Sequence, residues 1–140
     1  MTSVYLIGSL RNPVIPELGN VLRAQGFDAF CDWYSAGFEA DDQWQKYENY
    51  RGRSYKEALQ GHAAKHVFAF DKFHLDRCDA AVLVMPAGKS GHLELGYFAG
   101  TGKPGYVLFD KEPERYDVMY QFAKDVFFDK DSLILALKKL

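Results

Sequence analysis

Glu94 is the residue of this chain best placed to do chemistry. It stands in Ser90-Gly-His-Leu-Glu94-Leu-Gly-Tyr97, after an apolar run, Asp79-Ala-Ala-Val-Leu-Val-Met85, and a short loop. A carboxylate in the first turn of a helix leaving a buried strand can serve as a nucleophile or as a general acid or base. A glutamate there can also do no more than complement the helix dipole. Three neighbouring features favour chemistry. Its flanks are glycine-rich and apolar, which half-buries the carboxylate. The loop before it, with Gly88, Ser90 and Gly91, opens a helix whose free N–H groups suit a phosphate or a sugar hydroxyl. Tyr5, Gly8 and Ser9, at the end of the first strand, offer an opposite wall. Asp71 is a second carboxylate able to reach the same crevice, with helix N-capping as its alternative role. Asp79 begins a strand and is expected to cap or pair locally.

Other patterns fail on context. Gly100-Thr-Gly102-Lys-Pro-Gly105 matches a dinucleotide fingerprint, but it closes a helix and opens a strand, the reverse of what a pyrophosphate needs. Gly88-Lys89-Ser90 resembles the end of a phosphate loop, yet the first glycine of that motif would fall on Leu83, inside a strand. His62 and His66 share a helical face without a third ligand at metal-type spacing, so solvated or capping histidines are the better reading and no metal is expected. No cofactor is implied, and neither cysteine heads a helix beside a base.

The elements that must position these residues alternate in type. Val4–Ile7, Phe27–Cys31, Asp79–Met85, Tyr106–Phe109 and Val126–Phe128 read as strands. Helical spacing covers Val14 to about Gly26, 41 to about 60, 62 to 77, His92 to Gly100, and Ser132 to Leu140 capped by Asp131 or Ser132. Asp32 to Glu39 reads as an aromatic loop. Strands that are apolar throughout, separated by helices, predict an α/β, doubly wound parallel sheet of about five strands, flavodoxin-like or Rossmann-like, over a single domain of residues 1–140. Such sheets bind ligands at the strands' carboxyl ends, here after Ile7, Cys31 and Met85. Trp33 and Tyr34 follow the second strand there, and Trp33 could stack on a base. Trp44 and Tyr47 are expected in the core or at a subunit interface.

Composition narrows the partners. The chain has 140 residues, 17 basic against 19 acidic, a net charge of −2 and 16% aromatics. That balance lacks the basic footprint of a nucleic-acid binder and predicts no nucleic-acid polymer as partner. No apolar run is long enough to span a membrane, the start lacks the marks of a signal peptide, and Cys31 and Cys78 form no disulfide framework. A cytoplasmic protein with reduced thiols is expected.

Taken together, Tyr5-Leu-Ile-Gly8-Ser9, Asp71, Asp79-Ala-Ala-Val-Leu-Val-Met-Pro86, Gly91-His-Leu-Glu94-Leu-Gly-Tyr97 and Gly102-Lys103-Pro104 resemble the nucleoside 2-deoxyribosyltransferase family across most of residues 3 to 109. That superfamily includes deoxynucleoside-monophosphate N-hydrolases and is similar to TIR-type NAD-cleaving domains. The resemblance implies an enzyme that cleaves or transfers at the N-glycosidic bond of a nucleoside or nucleotide. Glu94 would be the nucleophile at C1′, Tyr5 its orienting donor, and Asp71 the group handling the leaving base's proton. Gly8, Ser9 and the loop Gly88, Ser90, Gly91 would line sugar or phosphate. It also implies a homo-oligomer. One departure stands out. The transferases carry an aspartate six residues before the glutamate, where this chain has Gly88. Ser9 and Arg11 suit a 5′-phosphate better than a free hydroxyl, which favours a nucleotide. A TIR-like NAD glycohydrolase or cyclase, and a non-catalytic nucleotide-sensing module, are the alternatives.

Overall fold

The computed structural model describes residues 1–140. Five parallel strands, β1 (Ser3–Ile7), β2 (Asp28–Phe30), β3 (Ala80–Val84), β4 (Gly105–Leu108) and β5 (Asp125–Phe127), form one sheet in the order β2-β1-β3-β4-β5. The helices are α1 (Val14–Ala24), α2 (Ala40–Tyr50), α3 (Tyr55–Leu59), α4 (His62–Arg77), α5 (Lys89–Gly100) and α6 (Lys130–Lys138). This is the doubly wound, Rossmann-like sheet the apolar strands predicted. The chain order reverses between β1 and β3, so the crevice above their carboxyl ends is the switch point.

The alternation of side chains along β1 decides which residues meet. Val4 and Leu6 enter one core with Ile15, Leu18 and Leu22 of α1 and Leu133 and Leu137 of α6. Tyr5 and Ile7 enter the other, with Leu75 of α4 and Leu95 and Phe98 of α5. A period of two therefore delivers Tyr5 to the side where α4 carries Asp71 and α5 carries Glu94. The register pairs Tyr5 with Ala81 of β3 and Phe30 of β2. The Phe30 ring centroid lies 5.2 Å from that of Tyr5.

Asp79 ties the two central strands at their starts. Its carboxylate accepts from the Ser3 backbone N–H at 2.9 Å and the Ser3 hydroxyl at 3.0 Å. This is the local pairing expected of it.

Lys103, in the turn that leads into β4, holds the end of α4. Its Nζ donates to the carbonyls of Asp76 at 2.7 Å and Cys78 at 2.8 Å, and it lies 4.6 Å from the Phe98 ring centroid. The last carbonyls of a helix have no partners within it, and a cation there satisfies both valence and dipole. Lys103→Met is expected to lower stability by about 2 kcal/mol, read from the urea midpoint at constant m-value. An unchanged midpoint would remove the clip.

Several boundaries differ from those predicted. The helix expected over 41 to about 60 is two, because Ser54 starts a new one: its hydroxyl accepts from Glu57 N–H while the Glu57 carboxylate accepts from Ser54 N–H. The expected aromatic loop contains a 3-10 turn over Asp32–Ala36. The terminal helix begins at Lys130 and is capped by Asp129, not by Asp131 or Ser132.

Candidate active site

α5 starts at Lys89, three residues earlier than predicted, with Gly88 as its N-cap. Glu94 therefore sits in the second turn, not the first. The reason the helix can start so early is Gly91. A Cβ there would lie 2.9 Å from Leu83 Cδ1 and 3.4 Å from Ile7 Cγ2, so α5 presses directly onto β1 and β3. Gly8 has the same kind of role, since a Cβ on it would meet Ile15 Cδ1 at 2.7 Å. Both glycines serve close packing at the switch point, in addition to any contact with a ligand.

Glu94 is partly buried and has no lysine or arginine within ion-pair distance. Burial pushes its carboxyl up to about 7, the Tyr5 phenol opposes that as a hydrogen-bond donor, and the charge of Asp71 adds to the rise. Tyr5 is itself buried, and burial together with the charges of Glu94 and Asp71 drives its phenol far above the ordinary value. It is thus a donor only. Asp71 lies in the interior of α4 and caps nothing, contrary to the capping alternative. Burial raises its carboxyl to about 6. Glu94 and Tyr5 act on each other, both feel the charge of Asp71, and burial raises both carboxyls. Such a pair can supply one nucleophile and one proton donor at the same pH.

No protein-family model matches this chain, and no curated protein matches it.

The expected binding residues are spread around this centre. The Ser9 hydroxyl accepts from the Arg11 N–H at 3.1 Å and closes the turn after β1. Arg11 is exposed and lies 3.8 Å from Asp42 of α2. An exposed pair of this kind is worth little, so the guanidinium can be recruited by an anion at small cost. Ser90 lies exposed in the first turn of α5. Trp33 is anchored: its indole N–H donates to the Leu6 carbonyl at 2.8 Å, and its ring packs against both cores. It closes the carboxyl end of β1 and β2, which leaves less of its ring for stacking than predicted. Trp44 is half-buried and Tyr47 exposed. His62 and His66 are both exposed, and no three His, Cys, Asp or Glu side chains converge as a metal site would need.

Two open depressions flank the centre without including it. One, of about 680 Å3, runs along β2 between Arg23, Phe70, His74 and Arg77. The other, of about 720 Å3, lies between Met85, Phe109, Tyr116 and Tyr120. Neither is lined by Glu94, Asp71 or Tyr5. Tyr120 was invisible to sequence reasoning. Its hydroxyl meets His92 at 2.9 Å across 28 residues, and no local pattern announces such a pair.

Proposed function

We propose that this protein is an enzyme of the nucleoside 2-deoxyribosyltransferase type, cleaving or transferring at the N-glycosidic bond of a deoxynucleotide or deoxynucleoside. The supporting observation is that Glu94 and Tyr5 act on each other and both feel the charge of Asp71 beside the switch point, with Glu94 free of any ion pair. Breaking an N-glycosidic bond builds positive charge on the sugar ring and negative charge on the base. The ionised Glu94 carboxylate, steadied by the Tyr5 O–H, attacks C1′ as the bond to the base breaks. Asp71 gives its proton to the departing nitrogen, and the sugar stays on Glu94 as an ester. Water, or a second base, then attacks C1′ while giving a proton back to the Asp71 carboxylate, which frees Glu94. Arg11 and Ser9 at one rim, with Ser90 at the other, suit a 5′-phosphate. No helix is long and apolar enough to cross a membrane. A pool of free nucleotides as substrate would suit a cytoplasmic protein.

The test is incubation with deoxynucleosides, deoxynucleoside 5′-monophosphates and NAD, with free base read by chromatography. Release from the monophosphates supports the reading, release from NAD alone replaces it with a TIR-like activity, and a melting shift without release replaces it with a sensing module.

A homo-oligomer belongs to the same proposal. α4 exposes Val67, Phe70 and Phe73, at i, i+3 and i+6 on one side, at 59%, 45% and 64%, and α5 exposes Leu93 at 75%. Apolar side chains grouped in this way on a soluble surface mark a contact face. They lie on the two helices that carry Asp71 and Glu94, so a second copy would also wall the crevice. Gel filtration is expected to give a mass at least twice the 15.9 kDa of the chain, and Val67→Glu with Phe73→Glu to return it to the monomer. A monomeric parent protein would sink this part.

A further inference from the structure

We propose that His92 and Tyr120 are positioning residues that hold the Gly88 cap and the first turn of α5 in register with Glu94. The inference rests on the glycosidic reading for what that turn does, and on geometry for how it is held.

His92 lies two residues before Glu94 on α5, and both of its ring nitrogens are engaged. Nδ1 is 2.8 Å from the Gly88 carbonyl, and Nε2 is 2.9 Å from the Tyr120 hydroxyl. A carbonyl can only accept, so Nδ1 carries the ring proton and Nε2 is left as an acceptor. Tyr120 therefore donates, His92 passes the restraint on, and the Gly88 oxygen receives it. The same oxygen also accepts from the His92 backbone N–H at 3.3 Å.

The outer end of the chain is fixed. Tyr120 belongs to a 3-10 turn over Val118–Phe122 whose first residues are capped by Asp117, accepting from Met119 N–H at 2.8 Å. The Tyr120 ring stands edge-on to Phe109, just past β4, with centroids 5.2 Å apart and planes at 77°. Burial, then the charge of Asp117, raises the Tyr120 phenol and keeps it a donor.

The inner end needs holding. Gly88 gives α5 no side-chain cap, and nothing lies within 4 Å of where its Cβ would be. A glycine in open space is the residue that loses most freedom on being ordered. The restraint that orders it comes from the far side of α5, through a residue the glycosidic mechanism does not use. Its expected role is in substrate binding. Ser90 and the amides of the first turn must face the sugar or phosphate while Glu94 faces C1′.

Three variants test this. His92→Asn puts an amide N–H where Nδ1 was and keeps the Gly88 contact. His92→Ala loses both contacts. Tyr120→Phe keeps the ring packing and loses only the outer hydrogen bond. With deoxynucleoside 5′-monophosphates as substrates, His92→Ala is expected to raise KM about five- to tenfold with kcat held within about twofold. His92→Asn is expected to recover most of that loss, and Tyr120→Phe to cost about threefold. An unchanged KM, a fall confined to kcat, or an asparagine variant as poor as the alanine one would overturn the assignment. Hydrogen exchange of the segment 86–95 needs no turnover. His92→Ala should speed exchange there and His92→Asn should not, and identical exchange in all variants would also overturn it. If the parent protein releases no base from any substrate, the glycosidic reading falls, and the exchange result alone decides the positioning claim.

Discussion

Glu94→Gln is expected to lower base release by at least about a thousandfold, roughly 4 kcal/mol of transition-state stabilisation, while the protein still folds. Glutamine keeps the shape and the contact with Tyr5 but cannot form the sugar ester. Glu94→Ala should be equally inactive. The same substitution has an opposite effect on stability. Burial holds the folded-state carboxyl of Glu94 at about 7, above its ordinary value of 4.5. A carboxyl raised in this way is bound to its proton more tightly in the fold than in the unfolded chain. Its contribution is complete below the ordinary value and is lost as pH climbs through about 7. At pH 8 the variant should therefore melt several degrees above the parent protein, and by pH 4 the two should coincide. Lost activity with raised stability is the signature of a residue kept for chemistry. Full activity in the glutamine variant would remove the nucleophile.

Asp71→Asn is expected to lower release about a hundredfold, the size of a general-acid contribution. The pH profile carries more information than the rate. Turnover needs Glu94 ionised and Asp71 protonated, so it rises as pH approaches about 7 and falls above about 6. The product of the two fractions is a bell centred near 6.5, belonging to the coupled pair. In Asp71→Asn the falling limb should vanish. The rising limb should move to lower pH, because the charge of Asp71 is one of the causes that raise Glu94. A 7-methylated purine deoxynucleotide, whose base is already cationic and leaves without a proton, should be nearly indifferent to the substitution. Equal losses on both substrates would take the proton-donor role from Asp71.

The centre of this site was legible because it depends on short-range rules. Tyr5 reaches the α4 and α5 face by the two-residue period of a strand, and Glu94 leaves β3 on the helix that must follow it. What was misread depends on packing. Lys-Ser-Gly after Gly88 is a poor helical start on propensity, and only the seating of Gly91 on Leu83 makes α5 begin there. The break before α3 was in principle readable, since Ser54-Tyr55-Lys56-Glu57 has capping-box spacing. Trp33 was placed at the right end of the sheet, but its anchoring to Leu6 is a contact between distant segments. Tyr120 and the clip at Lys103 are of the same kind. Both join parts of the chain that no local pattern connects.

The split of β1 between two cores has a genetic corollary. A strand has no slack, so one codon lost between Tyr5 and Gly8 would swap the faces of the residues before it. The phenol would then be delivered among the leucines of α1 and α6, and the carboxylates on the far side would lose their donor while every other residue stayed in the protein. Among small lesions, a single in-frame deletion between Tyr5 and Gly8 is predicted to be as disabling as the loss of Glu94 itself.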